Sequence, residues 1–168
     1  MTERCNCQSQ QPLIIKIKTV DGSSEWIPQK ANPTDVGFDL RARSFVNIYE
    51  EDAIESDNFL LEPDARVLIK TGIIIELKPG WEAQIRSRSG LALKKGLFVL
   101  NSPGTIDSGY RNEVGVILAN NGEQDIELQK GNKVAQMAIA QVPCVKLIHS
   151  ETIDMDTPRG IDGFGSTE

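Results

Sequence analysis

An all-β domain, a sandwich or barrel of short strands, is the fold class this chain predicts. Three observations predict it. Short runs in which apolar and polar residues alternate recur along most of the chain. Turn formers separate those runs at fairly regular spacing. Only "SGLALKKG" (89–96) carries a fair helical pattern, and it is short.

Taken in order, "LIIKIKTV" (13–20) alternates Ile with Lys, as a half-exposed strand does, and "GFDLRAR" (37–43) alternates again. "ARVLIKTGIIIEL" (65–77) predicts two strands around Gly72. "EAQIRSR" (82–88) follows the turn signal Pro79-Gly80. Asn121-Gly122 predicts a hairpin turn. "KVAQMAIAQV" (133–142) is a further strand, leading into "CVKLIH" (144–149). Residues 46–58, "VNIYEEDAIESDN", are acidic with little apolar periodicity and predict a surface loop.

The expected organisation is a flexible polar tail over 1–12, one β domain over 13–150 and a flexible C-terminal arm over 151–168. The arm is rich in Gly, Ser, Thr and Asp, so it cannot bury enough to order itself. Phe164 on such an arm invites a ligand. A length of 168 residues suits one domain with a core that needs no disulfide or metal. The net charge of −6 repels phosphate backbones, which argues against nucleic-acid binding. Three cysteines, Cys5, Cys7 and Cys144, have no framework spacing and fit a reducing compartment, so a cytoplasmic location is expected. The first residues hold no apolar segment of a signal peptide, and no apolar run is long enough to span a membrane.

Chemistry gathers at a few places. "RSRSGLA" (86–92) puts Arg88, Ser89 and Gly90 where a strand ends and a short helix begins. Arginine forks, a hydroxyl and open backbone suit phosphate oxygens. The plainer alternative is a charged strand end with an N-capping serine. "RGIDGFGST" (159–167) repeats that chemistry on the arm, as though a polyphosphate were gripped from two sides. Asp39 and Gln136 read plainly as an outward strand residue and an edge-strand amide. In "NSPGTIDSGYRNEV" (101–114), Asp107 and Tyr110 share a turn. A carboxylate there suits general-base work on phosphoryl transfer, and a ring against a sugar face excludes a 2′-hydroxyl. The alternatives are an Asx-turn and a half-buried strand aromatic. His149 is the only histidine, so no Ser-His-Asp or multi-His site is available.

These residues, in order, resemble the five motifs of the homotrimeric dUTPases: "DVGFDLRA" (35–42), "RSGLA" (88–92), "NSPGTIDSGYRNEV" (101–114), "GNKVAQM" (131–137) and "RGIDGFGST" (159–167). The resemblance implies a jelly-roll-like distorted β-barrel subunit with one short helix. It implies a homotrimer whose sites each draw on three subunits. It implies hydrolysis of dUTP to dUMP and pyrophosphate, which keeps uracil out of DNA and supplies dUMP for thymidylate synthesis. Mg²⁺ would be the cofactor, held chiefly by the triphosphate and waters, with no direct protein ligand. By matching position, Asp107 is the base that activates water, and Tyr110 packs on deoxyribose. Asn101, Gly104 and Ile106 belong to the turn that reads uracil. Arg88, Ser89, Gly90 and Gln136 hold phosphates, and Asp39 supports that network. Phe164 and Gly165 cover the base, while Arg159, Ser166 and Thr167 close over the phosphates. For members of viral origin the resemblance also brings a regulatory protein partner, for which the acidic segment 46–58 offers a surface.

Departures from the pattern are Asp162 and Glu168 in the arm, Gly109 and Asn112 in the third motif, and Ser87 in the second. The nearest rival, the related dCTP deaminases, shares an "ID-x-G" turn. It needs a catalytic Glu two residues after that Gly, where this chain has Arg111. A guanidinium does not release its proton at neutral pH.

Overall fold

Alternation sets the strands. The computed structural model describes residues 12–49 and 55–161. Strand β1 is Lys16–Thr19, and a short 3₁₀ turn follows at Ser24–Trp26. Strands β2 (Phe38–Arg41), β3 (Ser44–Val46), β4 (Glu55–Ser56) and β5 (Asn58–Leu61) come next. β6 (Arg66–Lys70) and β7 (Ile73–Glu76) flank Gly72, whose φ of 78° only glycine adopts freely. β8 (Trp81–Arg86) precedes the one α-helix among the described residues, α1 (Ser89–Lys95), which ends on Gly96 in the left-handed region. β9 (Leu97–Val99), β10 (Gly104–Ile106), β11 (Gly115–Asn120), β12 (Ile126–Gln129) and β13 (Lys133–Gln141) complete the set.

The fold is all-β and jelly-roll-like. A four-stranded sheet has the order β10-β8-β13-β2, and a five-stranded sheet the order β4-β3-β6-β11-β9. Two-stranded ribbons β1-β7 and β12-β5 flank them. Leu40, Ala83, Ile85 and Met137 of the four-stranded sheet share one buried cluster with Phe45, Val67, Ile69, Val116 and Leu118 of the five-stranded sheet. Burying each such side chain stabilises the fold by roughly 1.5–3 kcal/mol.

Two sequence expectations change. Asn121-Gly122 does not turn a β11–β12 hairpin. Both edges of β11 are already occupied, by β6 and by β9, so β12 pairs with β5 instead. Neither residue has the positive φ that a tight hairpin turn needs. Residues 46–58 are not loop throughout: Val46 ends β3, and β4 pairs back on β3 as Phe45 with Ser56. From Val142 to Ile161 the chain forms no helix or strand, and Leu147, Ile148, Ile153 and Ile161 are all strongly exposed.

Candidate active site

Asp39 lies on β2, the edge strand of the four-stranded sheet, with its backbone N–H donated to the Gln29 carbonyl at 2.9 Å. Period-two alternation makes it an outward residue, yet it is 6% exposed. The cause is cross-strand. β13 pairs with β2, and Lys133 at the start of β13 brings Nζ to 2.7 Å from Asp39 Oδ2. Arg88 reaches across from the end of the β8 segment and donates Nε to Asp39 Oδ1 at 3.2 Å. A second guanidinium nitrogen donates to the Lys133 carbonyl at 3.1 Å. Burial pushes the Asp39 carboxyl up. The Lys133 hydrogen bond, the Arg88 and Lys133 charges and a Gln136 hydrogen bond outweigh that, and the carboxyl is held below its ordinary value.

Arg88 is also the N-cap of α1, and its carbonyl accepts from the Leu91 and Ala92 N–H groups, each at 3.0 Å. The N-capping serine is therefore not found: Ser89 is already helical, and Ser87 Oγ instead accepts from Val99 N at 2.9 Å. Gly90 has open space where a Cβ would stand, so packing within one copy does not demand glycine there. Gln136 sits in register with Asp39 on one side and Arg86 on the other, and its side chain lies against Gly37. The structure thus brings together Asp39, Arg88 and Gln136, with Ser89 and Gly90 next in the chain. Sequence reasoning missed Lys133. It stands inside "GNKVAQM", and an acid two residues after Gly37 opposite a cation three before Gln136 was the available signal.

Asp107 and Tyr110 occupy the turn after β10, at the other edge of the same sheet. Ile106 anchors it, 9% exposed and in register with Ala83. The Tyr110 N–H donates to the Asp107 carbonyl at 3.0 Å, and the Tyr110 hydroxyl to the Glu113 carbonyl at 3.0 Å. These bonds hold the ring and join the backbones of the two residues. Tyr110 is 38% exposed and Asp107 is exposed beside a cleft lined by Trp81, Glu82 and Val142. The Asx-turn alternative does not hold, because the Asp107 carbonyl, not its carboxylate, closes the turn. Asn101 precedes this element and lies over Gly104, where a Cβ would come 3.2 Å from Asn101 Nδ2. Glycine at 104 lets the amide rest on the strand.

The two groups of residues are far apart in one chain. β10 and β2 are three strand steps apart, and Asp107 lies about four residues further along the strands than the Gln136–Asp39 level. At roughly 4.8 Å per step and 3.3 Å per residue, the separation is about 20 Å. Arg159 lies in an exposed turn closed by Gly160 N–H on the Thr157 carbonyl at 3.0 Å. Phe164, Gly165, Ser166 and Thr167, like Cys5, Cys7, Asp162 and Glu168, lie outside the described residues.

The dUTPase family profile matches residues 24–168. The deoxyuridine 5'-triphosphate nucleotidohydrolase of Clostridium tetani is 44% identical over 155 residues, covering 91% of this chain and 95% of its own. That of Bartonella henselae is 43% identical over 164 residues, covering 94% and 84%. Among solved structures, Staphylococcus bacteriophage 80alpha dUTPase with dUPNHPP has a TM-score of 0.74 at 23% identity, over 92% of this chain and 98% of that one. It is described as controlling transfer of virulence genes by a proto-oncogenic G protein-like mechanism. A mutant dUTPase from phage phi11 of S. aureus, described in terms of the coordination of a structural Mg(II) ion, has a TM-score of 0.68 at 20% identity, over 83% and 98%. These two structures share the fold of this chain.

Proposed function

The chain belongs to the dUTPase family and hydrolyses dUTP, and from that premise we propose how its residues divide the work. Asp107 is the general base: its carboxylate takes a proton from the water that attacks the α-phosphorus, releasing pyrophosphate and leaving dUMP. Tyr110 lies against the deoxyribose face, where a 2′-hydroxyl would collide with the ring. Asn101 and the backbone around Gly104 read the uracil edge, and dCTP, with its donor pattern reversed, leaves those groups unpaired. Arg88, Ser89, Gly90 and Gln136 grip the phosphates, with Asp39 and Lys133 holding the Arg88 fork in place. Phe164 and Gly165 close over the base, and Arg159, Ser166 and Thr167 over the phosphates.

One observation carries this reading: the Asp107–Tyr110 turn, in which a backbone bond joins the residue bearing a solvent-facing carboxylate to the one bearing a partly exposed ring.

The about 20 Å between that turn and the Arg88 cluster supports a site completed between copies, because one substrate must meet both. The exposed apolar residues from Leu147 to Ile161 support the same assembly, since a neighbouring copy would bury them. We propose a homotrimer. Among the described residues no three His, Cys, Asp or Glu side chains converge as a metal cage, and both Asp39 oxygens are engaged by Arg88 and Lys133. That donor set suits Mg²⁺ arriving on the triphosphate oxygens with its own waters. When bound, it would neutralise phosphate charge, leaving this chain to place the water and the sugar. The described helices include none long and apolar enough to cross a membrane.

The test is pyrophosphate release from dUTP, dCTP, dTTP and UTP, with the oligomer mass measured alongside. dUTP is expected to exceed the others in kcat/KM by several orders of magnitude. Comparable values for dUTP and UTP, or an active monomer, would overturn the assignment.

A further inference from the structure

Tyr110 stands on a loop that leaves β10 and returns to β11, so something must hold its ring still. Its hydroxyl bonds to the Glu113 carbonyl, and Glu113 is itself clamped. The Glu113 side chain is 9% exposed. Oε1 accepts from Gly72 N–H at 2.7 Å and from Arg43 Nε at 3.1 Å. Oε2 accepts from Arg43 Nη2 at 3.4 Å and faces Lys70 Nζ at 3.9 Å. The same Arg43 nitrogen donates to Glu55 Oε2 at 3.0 Å, which also accepts from Ser44 Oγ at 2.7 Å. Two carboxylates thus meet two cations, and the charges balance.

The backbone is stitched alongside. Thr71 Oγ1 donates to the Val114 carbonyl at 2.6 Å, and Val114 N–H to the Ile73 carbonyl at 2.8 Å. At Gly72 a Cβ would fall 2.8 Å from Trp26 Cγ and 3.1 Å from Arg43 Cδ, so only glycine fits beside the clamp. Neither carboxylate lines the cleft beside Asp107.

We propose that Arg43, Glu113 and Glu55 are positioning residues for the Tyr110 ring, and so set the discrimination between deoxyribose and ribose. The proposal rests on the assignment of Tyr110 as the sugar platform. It also gives Glu55 of the acidic segment a task, because on β4 it is the outer end of the network. Asp107 shares one backbone bond with Tyr110 but has a second anchor in the neighbouring Ile106 and the β10–β8 register. Losing the clamp therefore shifts the ring more than the base, an effect chiefly on KM and specificity and less on kcat. Arg43 links the two carboxylates, and without it both lose their shared partner.

The experiment measures kcat and KM for dUTP and UTP in the full-length chain and in Arg43→Met, Arg43→Lys, Glu55→Gln, Tyr110→Phe and Tyr110→Ala. Arg43→Met is expected to lower the dUTP/UTP ratio of kcat/KM on the order of tenfold, mostly through KM, the scale of a ring displaced by a fraction of an ångström. Arg43→Lys keeps the cation and should fall between it and the unmodified chain. Tyr110→Phe cuts the last link of the network. Adding Arg43→Met to Tyr110→Phe should therefore cost little more than the larger single change. An unchanged ratio in Arg43→Met, or single effects that multiply in the double variant, overturns the proposal. If Arg43→Met does not fold, Glu55→Gln decides: a shift of about twofold in the same direction supports the network, and no shift overturns it. Tyr110→Ala separates the two assignments. A ratio it leaves unchanged removes Tyr110 as platform. A ratio it lowers while Arg43→Met does not removes only the network.

Discussion

Asp39 and Asp107 leave the same sheet from opposite edges, and their surroundings differ in kind. Asp39 is buried, with one oxygen on Lys133 and the other on Arg88. Asp107 is exposed, and only its backbone carbonyl is tied down, by the Tyr110 N–H. A carboxylate whose lone pairs are occupied by cations does structural work: it aims a guanidinium. One that faces solvent from a turn closed through its backbone carbonyl is open to a water. The same residue type thus meets two environments, set by what its strand neighbours supply.

The largest expected effect breaks this contrast at the open end. Asp107→Asn keeps the size of the side chain but cannot take a proton. Its kcat for dUTP should fall about 10²–10⁴-fold, while binding of a non-hydrolysable analogue persists. Turnover near the original rate would assign the base elsewhere. At the closed end, Asp39→Asn leaves Arg88 and Lys133 facing each other with only a neutral acceptor between them. Because both cations are partly in water, the loss of stability should be about 2 kcal/mol rather than that of a fully buried pair. Calorimetry should show Tm lower by roughly 5 °C, with a raised KM as Arg88 loosens. An unchanged Tm would mean that the ion pairs contribute nothing.

A smaller effect sharpens the contrast. The folded-state value of Asp39 lies below the ordinary 3.8, so the unfolded chain binds more protons as pH falls through that range. The stability contributed by Asp39 is complete above the ordinary value and is lost as pH drops through the depressed one. The Tm gap between the original chain and Asp39→Asn should therefore narrow as pH falls from about 5 to about 3. A gap that widens would place the shift in the opposite sense.

Much of this was legible because it is local. Gly72 breaks an apolar run between β6 and β7, and "SGLALKKG" ends on a glycine in the left-handed region, as written in the chain. The Asp107 turn follows from Gly, Asp and Ser near a strand end. What failed was non-local. The Asn121-Gly122 signal is sound in isolation, but partner choice depends on which edges of β11 are vacant, and none is. Asp39 reads outward by alternation, and only the β2–β13 register brings Lys133 onto it. The Arg43–Glu113 clamp joins residues 70 apart and has no sequence signature.

The central claim is that the Asp107 turn of one copy works on a substrate held by the Arg88 cluster of another. Two variants, Asp107→Asn and Arg88→Ala, each inactive alone, are unfolded together, refolded as a mixture and assayed for dUTP hydrolysis. In random mixed trimers about a quarter of sites receive an intact turn from one copy and an intact cluster from its neighbour. Recovery of about a quarter of the original turnover per site is the predicted result. A mixture as inactive as its parents would contradict the claim and place both groups of residues in one copy's own site.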